Sequence, residues 1–211
     1  MLVNMKLVDK LLYALVVLFV SIFIYFSFSP YDRGDWLLEN VLVVLIVIVL
    51  LATKKRLGLS TISYILIVVF LILHEIGAHY TYSLVPYDEW FKSIFGFSLD
   101  QFFGWERNHF DRFVHFLFGV LWVYPIYEFY TKNVSISSGW RWFFAVQSVA
   151  TASLVFEFIE WAAAAYFGGE LGMHYLGTQG DEWDAHKDML LAVIGALVVS
   201  LICYTRGKKF V

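Results

Sequence analysis

Six runs of apolar residues, each near the roughly 20 that cross a hydrocarbon core, alternate with short polar joints along the chain. They cover 11–28, 36–52, 60–80, 110–130, 140–167 and 185–204. The runs are continuous and show no period-two alternation, so they predict helices and not strands. Ser29-Pro30 ends the first run, Thr53-Lys54-Lys55-Arg56 ends the second, and Ser60 is placed to cap the third. Pro125 predicts a kink in the fourth. The first run is long and is followed by no small-residue cleavage site, so it reads as a retained span and not a signal peptide. The expected fold class is all-α: a polytopic membrane helical bundle of six transmembrane helices, forming a single transmembrane domain over residues 1–211.

Between the third and fourth runs, residues 81–109 follow a different pattern. Trp90, Phe91, Ile94, Phe95, Phe102, Phe103 and Trp105 are interleaved with Asp88, Glu89, Lys92, Asp100 and Gln101. One or two short helices lying in the membrane interface account for this. Such an outer interfacial segment either anchors the chain or roofs a site that a lipid-like molecule enters sideways.

Composition agrees. The 211 residues are 60% hydrophobic and 16% charged, against about 45–50% and about 25% in soluble domains, and the mean hydropathy is +0.70. Aromatic residues make up 20%, which suits interfacial belts. A net charge of −3 gives no case for a nucleic acid partner. The single cysteine, Cys203, can form no internal disulfide.

Charge also orients the bundle. One set of helix ends carries Lys6, Lys10, Lys54, Lys55, Arg56, Lys132, Arg141, Arg206, Lys208 and Lys209, which is 10 of the 15 basic residues. The positive-inside rule puts that set, and with it both termini, in the cytoplasm. All six histidines and 16 of the 18 carboxylates then fall on the outer side, leaving only Asp9 and Glu128 inside. Positive-inside bias accounts for acids in the outer loops. It does not account for acids within apolar helical stretches, where ionisable groups are costly unless they are paired, bind an ion or line a wet cavity.

Four stretches carry those groups. The third run ends in His74-Glu75-Ile76-Gly77-Ala78-His79, where Glu75 and His79 share a helix face. The histidines are five apart, so this is not the zinc-protease pattern. Gly77 and Ala78 would admit another helix closely. The fourth run opens on Asp111, Arg112 and His115, with the carboxylate one turn from the imidazole. Glu157 and Glu160 lie in the fifth run, Glu157 about ten residues from its outer end. Asp181, Asp184 and Asp188 share a face at the start of the sixth, beside His186 and Lys187.

Helices that each deliver a carboxylate or imidazole to one level build metal sites in bundle cores. His74, Glu75, His79, Asp111, His115, Asp184 and His186 are the candidate metal ligands, and Glu157, Glu160, Asp188, Arg112 and Lys187 the candidate catalytic groups. Histidine and carboxylate without cysteine point to zinc, iron or manganese. The sharpest reading is a metal-dependent hydrolase in the membrane, working on a lipid or envelope precursor. A proton- or cation-coupled transporter, or a non-catalytic protein whose polar cluster is structural, are the alternatives.

The stretches HEIGAHYTYSLVPYD, RNHFDRFVHFLFG, FEFIEW and GTQGDEWDAHKDM together resemble the YjdF family of bacterial inner-membrane proteins. The resemblance covers about residues 10–205 and implies a six-helix inner-membrane protein, but no reaction. A fainter likeness is to VanZ-like membrane proteins, linked to glycopeptide antibiotic resistance. Asp111-Arg112-Phe113-Val114-His115-Phe116 fits their Asp-(Lys/Arg)-x-x-His-Phe motif. Glu160 and Asp188 stand where those proteins carry Gln and Asn, and the added charge favours cation binding over any transfer of VanZ function.

Overall fold

The computed structural model describes residues 2–206, and nine helices account for its regular structure. Lys208 and Lys209 of the basic set lie outside the described residues, as do the side chains of Lys6 and Asp9. Six helices are long and apolar enough to span a membrane: α1 (Leu2–Ser27), α2 (Arg33–Leu57), α3 (Thr61–His79), α6 (Phe110–Asn133), α7 (Ser138–Phe167) and α9 (Asp184–Thr205). Three are short: α4 (Tyr87–Phe95), α5 (Leu99–Phe103) and α8 (Gly169–Leu176).

Local chemistry sets the boundaries. The Asp32 side chain accepts from the Asp35 N–H at 2.9 Å and starts α2. Ser60 caps α3 as its sequence position predicts, accepting from the Ser63 N–H at 3.4 Å. Gly58 ends α2 in the left-handed conformation, and Lys54, Lys55 and Arg56 fill the last turn, where positive charge suits the helix dipole. Pro125 lies inside α6, which runs unbroken through it. Residues 81–109 form α4 and α5, with Trp90, Ile94, Phe95, Phe102 and Phe103 exposed. Residues 169–176, left without a helix in the sequence reading, form α8, which folds back against α7 and α2.

Helix α6 is the hub, packing against α3, α7 and α9. Its contact with α9 is tight, because each helix places a glycine there. A methyl group on Gly119 would overlap the Ala192 carbonyl oxygen, and one on Gly195 the Phe116 carbonyl oxygen. Ala192 and Ala196 are fully buried at the same seam. Small residues are what let membrane helices approach this closely. Outside, Leu18, Val44, Ile48, Leu154, Val155 and Leu201 are exposed, the apolar exterior a lipid-facing bundle requires.

The two ends of the bundle differ. At one, Glu128 is held by the Ser60 N–H at 2.8 Å, the Ser63 hydroxyl at 2.6 Å and Lys132 at 2.8 Å. The other end, where α4, α5 and α8 lie, collects the remaining buried acids.

Candidate functional site

Tight packing of α6 on α9 fixes what faces what. Asp111 and His115 project one turn apart from the first turns of α6, and Asp184 and Asp188 one turn apart from the start of α9. One oxygen from each of Asp111, Asp184 and Asp188 lies within 4.8 Å of the other two. Asp184 and Asp188 are 3% and 2% exposed. Helix α7 adds Glu157, and the His115 Nε2 lies 3.6 Å from both an Asp111 oxygen and a Glu157 oxygen. Glu160 sits one turn further on, also buried. The Glu157 Oε1 and Asp188 Oδ1 atoms are buried without a hydrogen-bond partner.

The basic groups stand at the rim. Arg107 donates to Asp184 at 2.5 and 3.3 Å and to the Thr178 carbonyl at 3.0 Å. Arg112 bridges Asp184, at 3.1 Å, and Asp181. Lys187 donates to Asp181 at 2.5 Å. Asp181 is not on the α9 face that its spacing from Asp184 predicts. It lies in a turn before the helix and draws Arg112 and Lys187 together. Hydrogen bonds from Lys187 and from the Trp183 N–H hold its carboxyl well below the usual carboxylate range. The Gln179 side chain accepts from the Asn108 N–H at 2.9 Å and donates to the Asn108 carbonyl oxygen at 3.0 Å, clamping the two rim loops.

A second group of acids lies on α2 and α3. Asp35, Glu39 and Glu75 are 1%, 3% and 0% exposed. The His74 Nε2 lies 3.8 Å from Glu39, and its Nδ1 is 2.5 Å from the Tyr82 hydroxyl. Tyr82 reaches His74 because the chain reverses after α3. Thr81 and Tyr82 both adopt positive φ, at 51° and 52°. Gly77 leaves the space, since a methyl group there would strike the Tyr82 ring. Gly77 thus admits a ring rather than a helix. Burial pushes the Tyr82 hydroxyl well above its ordinary range, and Glu39, Asp111, Glu160 and Glu75 push it further. That set spans both acid groups, so Tyr82 stands where they meet.

The structure therefore brings together Asp111, His115, Glu157, Glu160, Asp184 and Asp188, with Arg112 and Lys187 at the rim. His74 and Glu75 belong to the neighbouring group. His79 is elsewhere: its Nδ1 is 2.9 Å from the Phe26 carbonyl oxygen and its ring packs on Phe26 and Tyr80. His186 is exposed and packs on Trp183. Sequence reasoning passed over Asp35, Glu39, Tyr82 and Arg107. Asp35 and Glu39 carried a signal, two carboxylates one turn apart opening an apolar run. Arg107 opens the stretch RNHFDRFVHFLFG, where only Asp111, Arg112 and His115 drew notice.

A cavity of about 610 Å³ runs from these groups into the bundle between α2, α3, α6 and α7. His74, Tyr82, Asp111 and His115 line one end of it, and apolar side chains line most of the rest.

The chain matches the family described as predicted membrane protein (DUF2238) over residues 11–209. It is 36% identical over 177 residues to inner membrane protein YjdF of Escherichia coli (strain K12), covering 83% of this chain and 80% of that protein. No solved structure matches it. With six membrane-length helices and a match along nearly its whole length, the chain belongs to the DUF2238 family and is a multi-pass protein of the inner membrane.

Proposed function

We propose that this protein binds a divalent cation at Asp111, Asp184 and Asp188 and uses it to hydrolyse a lipid or envelope precursor at the extracytoplasmic face. The observation that carries this reading is the convergence of those three carboxylates with His115 and Glu157 at the mouth of an apolar cavity. Charges buried this deeply are costly unless paired or bound to a metal. Only Asp184 of the three has guanidinium partners. Side follows from the basic residues, which crowd the opposite end of the bundle.

The donor set fits such an ion. Three carboxylates beside one imidazole, with no thiol, suit manganese, and the imidazole also suits zinc or iron. A divalent cation held there supplies Lewis acidity and brings the pKa of a bound water towards neutrality. Asp111 and Asp188 would hold it from facing helices. Arg107 and Arg112 orient Asp184 between them. His115, within reach of both Asp111 and Glu157, is placed to pass a proton from the mouth of the cavity to Glu157. Glu160 supports Glu157 from the next turn. An anionic headgroup that displaced Asp181 would meet Arg112 and Lys187.

Elemental mass spectrometry on tag-free protein tests the reading. About one manganese, zinc or iron per chain, lost in Asp111→Asn or Asp188→Asn, is the expected result. Metal-free wild-type protein that is folded and complete overturns it.

A further inference from the structure

The cavity beside the acidic cluster has a shape and polarity of its own. Helix α2 forms its outer wall. Every buried residue of α2 lies between Asp35 and Val43. Beyond that point Val44, Leu45, Ile48 and Val49 are exposed, and α2 leaves a gap before α6 and α7. Leu45 and Val49 line that gap from one side, Ala152 and Val155 from the other.

Along α6 the lining runs from Asp111 to Ile126. At 1.5 Å per residue that is about 22 Å. One leaflet of a hydrocarbon core of about 30 Å takes up roughly 15 Å, so the cavity is long enough for a fully extended leaflet chain. Its volume, about 610 Å³, is in the range of sites that take one small molecule, roughly 300–1,000 Å³. The charged and imidazole groups of its lining sit at one end only. Such a space matches a molecule with one polar end and one long apolar end.

We infer that this cavity binds one hydrocarbon chain of a phosphate-headed membrane lipid, which enters sideways between α2 and α7 and stops with its headgroup at Asp111, His115, His74 and Tyr82. The inference names the substrate class of the site proposed above. It rests on that reading for the chemistry at the headgroup, but its geometry stands apart from metal binding. The bilayer is the source: the gap opens on the lipid-facing side of α2, where Leu45, Val49, Ala152 and Val155 line it. Polarity fixes the direction, because a headgroup placed at the Ile126 end would lie among Leu50, Trp122 and Ile126, whereas His74, His115 and Tyr82 offer it hydrogen-bonding groups at the other.

The test is photo-crosslinking in nanodiscs of phosphatidylethanolamine and phosphatidylglycerol. A phosphatidylglycerol probe carrying a diazirine at its acyl terminus is expected to label the deep residues, Leu50, Trp122 and Ile126, above the level found on the outer faces of α1 and α9. Ala152→Trp and Leu45→Trp fill the cavity from opposite walls, at positions that are otherwise exposed, and each is expected to cut the deep labelling at least fivefold. Metal content measured on the same samples should stay at the wild-type level. Deep labelling that both variants leave unchanged, or that never exceeds the outer-face level, overturns the inference. Wild-type protein that holds no metal but still labels at the deep residues overturns the proposed chemistry and leaves the chain site standing.

Discussion

Gly119 of α6 lies so close to Ala192 of α9 that the glycine's missing side chain is what allows the two helices to touch. The seam sets the level at which Asp111 and His115 face Asp184 and Asp188. Packing and candidate chemistry are therefore linked through two residues that carry no chemistry themselves.

Gly119→Val should part the helices. Overpacking a closely fitted seam costs about 1–3 kcal/mol, and more where the obstacle is backbone, as here. The expected outcome is a lower melting temperature in detergent together with loss of bound metal. Gly139→Val is the control, because Gly139 has open space where a side chain would go. It should change neither.

Histidines should sort by position. His115→Ala should lower metal content or abolish it, whereas His79→Ala and His186→Ala should leave it unchanged, since His79 faces the Phe26 carbonyl and His186 lies exposed on Trp183. Elemental analysis of the three variants checks this. Equal loss in all three would mean that the ligands are not those the helices bring together.

Tyr82→Phe removes the partner of the His74 Nδ1 and leaves a buried imidazole nitrogen unsatisfied. Losing one partner of a buried hydrogen bond costs about 1–3 kcal/mol. The variant should melt earlier with its metal retained, because His74 lies in the α2–α3 group. Gly77→Ala should give a similar loss by a different route, pushing the Tyr82 ring out of its place.

The rim clamp should respond to acid. The Asp181 carboxyl is depressed in the folded protein by Lys187, by the Trp183 N–H and by Arg112. A depressed pKa means that its contribution is fully present above the unfolded carboxylate value, about 3.9, and is lost as pH falls below it. Asp181→Asn should therefore speed amide exchange in residues 178–183 at neutral pH. The difference from wild type should persist to about pH 4 and narrow below it. A difference that vanished between pH 7 and pH 5 would assign the clamp to another group.

The sequence by itself determined the six spans, the Ser60 cap, the short helices after the third span and the end of the bundle at which acids and histidines collect. Each of these depends on residues near in sequence: a run of apolar side chains, a hydroxyl before a helix, a change of pattern. Glu157 could be read as deep because depth in a span is a count from its end. The partners of each group were decided only by the tertiary structure. Asp111 meets Asp188 because Gly119 and Gly195 let α6 and α9 close, and spacing along either helix says nothing about that crossing. His79 carries the same local signature as His115, a carboxylate four residues before it, yet the rotation of α3 turns it to the Phe26 carbonyl. Asp35, Glu39 and Tyr82 join the polar end through contacts between α2, α3 and the reversed chain at Thr81. The cavity, too, lies where α2 carries no fully buried residue, beyond Val43. Helix faces are written in sequence, but which faces meet depends on how closely whole helices can approach.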